Sequence, residues 1–164
     1  MAITVKFSNP KTLAPPPGYT YVVEASGKKL RMIHFAGQLG LNMENKLVGP
    51  AGDFRSQCVK AFENMGLALK AAGVAWKDVV KINNYLVDIG KNIGVFREVR
   101  DKYLNVKAPP ASTTVGVPEL ARPGALFEIE AIAMATLRPS RKPRARSLTP
   151  RKLRRRSAAK RTET

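Results

Sequence analysis

The chain has 164 residues, 44% of them hydrophobic, and this is the length of one ordinary domain and too little for two. One cysteine, Cys58, excludes an intramolecular disulfide and points to a reducing, cytoplasmic setting. The net charge of +17 suggests nucleic acid until it is divided: residues 138–164 hold 12 Lys/Arg against one acid, a net of +11, leaving +6 for residues 1–137.

The first ten residues lack the charged-then-apolar pattern of a secretory signal, and no run approaches the roughly 18 apolar residues that span a bilayer. A soluble chain without membrane contact is expected. Tyr19–Glu24 and Leu30–Ala36 are β-rich runs joined by Ala25-Ser-Gly-Lys-Lys29, which reads as a hairpin with Gly27 in the turn. From Asp53 to Ala72 the apolar residues Cys58, Ala61, Phe62, Met65, Ala68, Leu69 and Ala72 recur at three- and four-residue steps. Gly73 follows as a stop, so a helix is expected. Val79–Asp88 alternates as a strand. Val95, Phe96, Val99 and Tyr103 mark a second helix, opened by Asn92 and ended before Pro109. Ser112–Val117 and Leu126–Thr136 complete a β-β-α-β-α-β-β order, an α+β fold with a mixed sheet and two helices on one face.

The final strand sets Leu126, Glu128, Glu130, Ile132 and Met134 on one face and Phe127, Ile129, Ala131, Ala133 and Ala135 on the other. Both faces carry apolar residues although helices cover only one. Packing of subunits sheet against sheet in a homo-oligomer is therefore expected, with ligand clefts where the subunits meet. Residues 138–164, with two leucines and no apolar periodicity, cannot offset the entropy of folding. They read as a basic, disordered tail on a domain spanning 1–137. The tail is either a dispensable extension or a nonspecific nucleic-acid anchor, and it lacks aromatics for stacking.

His34 and Cys58 are each alone of their kind, so a zinc site is not expected, and neither a Ser-His-Asp nor a Cys-His set has convincing parts. His34, beside Met32, Ile33 and Phe35, reads as a hydrogen-bonded structural histidine, with a catalytic role the second alternative, and Cys58 reads as core. Gly37-Gln-Leu-Gly40 lacks the helix start and Lys-Ser/Thr of a phosphate loop. Glu128 and Glu130 remain, two carboxylates on one face of a strand that looks buried. An unpaired carboxylate there must meet a cation, a donor or a ligand, so the pair serves either a structural bond or the positioning of water or substrate. Tyr19, reached through Ala14-Pro-Pro-Pro-Gly18, is either a packing tyrosine or a phenol at a cleft edge.

Phe35-Ala-Gly-Gln38, Ala61-Phe-Glu-Asn64, Ala71-Ala-Gly73, Asp78-Val-Val-Lys81 and Pro110-Ala-Ser-Thr-Thr114 occur in order, followed by Glu128-Ile-Glu-Ala-Ile-Ala133. Over roughly residues 15–136 the chain resembles the RidA (YjgF) family, also described as endoribonuclease L-PSP-like. The resemblance implies a chorismate-mutase-like fold, a homotrimer with a central β-barrel, and three ligand clefts between neighbouring subunits. It also implies cofactor-free hydrolysis of 2-imino or enamino acids to 2-oxo acids and ammonia. The implied site residues are Glu128 near the attacking water and Tyr19 at the cleft, with Ala36, Gly37, Ser112, Thr114 and Arg100 as substrate-binding positions. The chain departs from the family at Ser112, which stands where an arginine grips the substrate carboxylate. Arg100 falls where characterised deaminases often carry asparagine, and Ala36 where they often carry serine. Arg100 is thus a candidate substitute anchor for a small carboxylate. Two other functions stay open: a non-catalytic trimer that binds small metabolites, and RNA binding or cleavage with the basic tail.

Overall fold

A computed structural model describes residues 3–9, 12, 19, 20 and 22–136. The basic extension 138–164, the boundary at 137 and the proline-rich lead 14–18 lie outside the described residues. The elements in chain order are β1 (Thr4–Ser8), β2 (Val22–Ser26), β3 (Leu30–Leu39), α1 (Phe54–Ala71), a 3-10 turn (Trp76–Asp78), β4 (Val79–Leu86), α2 (Ile89–Arg100), β5 (Ala111–Gly116) and β6 (Phe127–Thr136). The expected β-β-α-β-α-β-β order is present, preceded by one strand, β1, that sequence reading does not anticipate.

The hairpin expected between the first two runs is corrected. β2 pairs antiparallel with β1, from Thr4 opposite Ser26 to Ser8 opposite Val22, whereas β3 pairs with β6. Residues 27–29 do turn the chain, with Lys29 at φ 68°, but they pass it from a two-stranded sheet into a four-stranded one. Turn chemistry marks a change of direction and does not say which strand becomes the partner.

The larger sheet has the order β3-β6-β4-β5. β6 is antiparallel to both β3 and β4, while β4 and β5 are parallel because α2 crosses over between them. α1 follows its predicted span. Asp53 is the N-cap, its carboxylate accepting from Ser56 N at 3.1 Å and from Ser56 Oγ at 2.6 Å. Gly73 ends the helix at φ 71°, a conformation that favours glycine. α2 begins three residues before Asn92, after Asp88 at φ 49°. Asn92 is buried instead inside the first turn, donating to Val87 O at 2.9 Å, so it anchors the helix start without being its cap.

α1 packs on β3 and β6, and α2 on α1 and β4, so both helices cover one face of the sheet as expected. The core between them is aromatic. Phe62 of α1 stacks on Tyr103 at 5.0 Å and on Phe127 of β6 at 5.7 Å, with Trp76 and Phe96 completing the ring cluster. Cys58 is fully buried there, and burial pushes its thiol up to about 12, which keeps it protonated and inert. No helix among the described residues is long and apolar enough to cross a membrane.

Candidate functional site

Alternation along β6 sorts its side chains as the sequence predicts: Phe127, Ile129, Ala131 and Ala133 are buried under the helices, and Glu128, Glu130, Ile132 and Met134 are half-buried on the open face. Cross-strand register then decides what meets the two carboxylates. Tyr85 of β4 lies opposite Glu128 and Asn83 opposite Glu130. Tyr85 Oη donates to Glu130 Oε2 at 3.2 Å, and Asn83 Nδ2 donates to the same oxygen at 3.3 Å. Sequence reading missed both residues; the alternation of Val79–Asp88 puts them on one face, but only register shows that this face is the carboxylates' own.

On the other side of β6, the β3 ladder slips between Phe35 and Gln38, so that Ala36 and Gly37 together oppose Glu130. Gln38 Nε2 closes this bulge by donating to Ala36 O at 3.1 Å and to Gly37 O at 3.2 Å. The carboxylate of Glu128 lies directly over Gly37. A Cβ built there would overlap Glu128 Oε1 and stand 2.7 Å from Cδ, so glycine at 37 is what admits the acid.

Burial first, then the charge of Glu130, holds the Glu128 carboxyl above the usual carboxylate range. Tyr85 is raised as well, by burial and then by Glu130. Four side-chain ion pairs occur among the described residues, and none involves Glu128 or Glu130. The open face continues into a cavity of about 590 Å³ lined by His34, Ala36, Lys81, Asn83 and Glu130. His34 is exposed there, in place of the structural position expected for it. Lys81 donates to Thr113 Oγ1 at 2.6 Å, and burial lowers its pKa.

Ser112 and Thr114 stand elsewhere. In register with Ile82 and Asn84 of β4, they point to the helix-side face of the sheet. The fully buried Asn84 joins them, its Nδ2 lying 3.2 Å from Ser112 Oγ, 3.2 Å from Thr114 Oγ1 and 3.0 Å from Thr113 O. Tyr19 is set near the same strand, because Thr20 is tied to the residues leading into β5: its N–H bonds Pro110 O at 3.4 Å and its Oγ1 donates to Pro109 O at 2.7 Å. Arg100 is buried at the end of α2. Its guanidinium pairs with Asp101 at 2.8 Å and lies over the Phe96 ring at 5.6 Å. One subunit therefore brings Ala36, Gly37 and Glu128 together on the open face and gathers Ser112 and Thr114 behind the sheet beside Asn84. It does not bring the two groups round one ligand.

No cluster of three or more His, Cys, Asp or Glu able to hold a metal occurs among the described residues. The family model described as endoribonuclease L-PSP matches residues 11–135. A RutC family protein of Aquifex aeolicus is 33% identical over 79% of this chain and 98% of its own length. A protein of Dermatophagoides farinae named 2-iminobutanoate/2-iminopropanoate deaminase is 33% identical over 74% of this chain and 91% of its own. Among solved structures, the Rid-family protein YyfB of Yersinia pestis superposes with a TM-score of 0.69 at 31% identity, covering 84% of this chain and all of that one. RidA of an Antarctic Psychrobacter superposes with a TM-score of 0.57 at 30% identity, over 77% of this chain and 96% of its own. Matched along nearly the whole described domain in both sequence and fold, the chain belongs to the Rid (YjgF, endoribonuclease L-PSP) family.

Proposed function

We propose that this chain is a cofactor-free enamine or imine hydrolase that works as a homotrimer, in clefts that each take one half from each of two neighbouring subunits. The observation that carries the reading is Glu128: a half-buried carboxyl on the open sheet face, raised in pKa and seated over a glycine, with no cation paired to it among the described residues. A carboxyl raised in this way suits proton transfer to and from water. Glu128 takes a proton from water as its oxygen bonds to the imine carbon. Glu128 hands that proton to nitrogen, giving a carbinolamine; it then takes the hydroxyl proton as the C=O bond forms and passes it to nitrogen as the C–N bond breaks, giving a carbonyl compound and ammonia. The names of relatives in Dermatophagoides farinae and Rattus norvegicus support 2-imino acids with short side chains as the substrate class.

The separation of Glu128 from Ser112 and Thr114 by the thickness of the sheet supports a cleft completed by a second copy. Ser112 and Thr114 would offer hydroxyls to the carboxylate of the substrate, with Tyr19 along the same edge. Serine cannot form a bidentate fork, so carboxylate recognition is weaker by about 1.5–3 kcal/mol than with an arginine, roughly ten- to a hundredfold. A reducing cytoplasmic setting fits the lone buried Cys58. The chain's single histidine offers no His pair for RNA cleavage, although the +11 of residues 138–164 supports nonspecific attraction of polyanions.

The test is ammonia release from freshly generated 2-iminobutyrate, measured against spontaneous hydrolysis. The unmodified protein is expected to accelerate release, and Ser112→Arg to raise kcat/KM by about ten- to a hundredfold. Acceleration by the variant alone would assign the native protein to metabolite binding. Acceleration by neither would overturn the reading.

A further inference from the structure

The two carboxylates of β6 are not equivalent. Glu130 receives two neutral donors on one oxygen, from Tyr85 at 3.2 Å and Asn83 at 3.3 Å, which fix the position of its carboxylate on the open face. Glu128, two residues away on the same face, sits over the backbone of the β3 bulge and meets the field of its neighbour. The titratable groups this face presents are His34 of β3, Lys81 and Tyr85 of β4, and Glu130 itself. Lys81 lies opposite Ile132, two strand positions beyond Glu130 and four beyond Glu128, and its amine is engaged by Thr113. Its charge is thus placed to act on Glu130 more than on Glu128.

The geometry points to Glu130 as a positioning residue for Glu128: fixed in place by Tyr85 and Asn83, its carboxylate keeps the neighbouring carboxyl poised to exchange a proton with water. Two carboxylates two residues apart on one face repel, so the charge of Glu130 makes Glu128 harder to ionise. The assignment rests on the hydrolase reading for its consequence in catalysis, but the carboxylate pair itself can be measured without any turnover.

Two readouts on the full chain keep these apart: the pH profile of kcat/KM on 2-iminobutyrate, and a carbon-13 NMR titration of the Glu128 carboxyl. Glu130→Gln keeps the size of the side chain and an acceptor for Tyr85 and Asn83, and it removes the charge. Without that charge Glu128 ionises more readily. Its titration is expected to move to lower pH, the acid limb of the profile to move with it, and activity on that limb, relative to the plateau, to rise severalfold. Tyr85→Phe, which removes one donor from Glu130, is expected to move both in the same direction by less. A Glu128 titration that moves while neither protein hydrolyses the imine would leave the carboxylate pair standing and sink the hydrolase reading. A Glu128 titration unchanged in both variants would overturn the proposal.

Discussion

Replacing Glu128 by glutamine is expected to lower the enzyme-dependent rate of 2-iminobutyrate hydrolysis by about a hundred- to ten-thousandfold, the usual contribution of a positioned acid–base group. Glutamine fits the same space over Gly37, so the fold should persist and the loss should appear in kcat more than in KM. Stability separates this from a packing defect. The Glu128 pKa is raised in the folded chain, so its contribution to stability is present below the unfolded pKa and is lost as pH rises through the folded value. Once ionised, the carboxyl therefore counts against folding. The glutamine variant should melt no lower than the parent and should lack that pH dependence. A variant that loses activity and also melts several degrees lower would instead mark Glu128 as a structural group.

Phe62→Ala should be the most damaging single truncation of the core, costing about 3–5 kcal/mol. Phe62 has no exposed surface and stacks on Tyr103 and Phe127, with Trp76 and Phe96 beside it. It joins α1 to β6, to α2 and to the segments that follow each helix, so no single neighbour can move in to fill the hole. With a denaturant slope of about 1–3 kcal/mol/M in urea, the midpoint should fall by roughly 2 M. Phe62→Leu, which keeps most of the volume, should fall by much less. Equal midpoints for Phe62→Ala and the parent would show that the aromatic cluster does not govern folding.

The helices and the faces of β6 could be read from residue order because they depend on local spacing. Cys58, Phe62, Met65 and Leu69 repeat at helical steps, and Glu128 and Glu130 alternate with Phe127, Ile129 and Ala131. What could not be read depends on pairing between distant segments. The turn at 27–29 looks like a hairpin, yet β2 finds β1 and β3 finds β6. Asn83 and Tyr85 carry no signal of their own until the β4–β6 register sets them against Glu130 and Glu128. Gly37 is named by its motif, but its reason, a carboxylate lying on its Cα, belongs to the β3 bulge. Arg100 shows the same limit from the other side. Its place in the family pattern suggests an anion anchor, but residue order does not show that Asp101 and the Phe96 ring lie beside it.

The division of the site between two sheet faces is tested most directly by mixing subunits. Glu128→Gln removes the open-face half, and Ser112→Glu sets a negative charge in the other half, where a substrate carboxylate would lie. Each variant alone should be nearly inactive. If clefts form between copies, unfolding and refolding an equal mixture should restore activity in about a quarter of them, those receiving both intact halves. A mixture no more active than the two variants measured separately would contradict a shared cleft and place all the chemistry within one subunit.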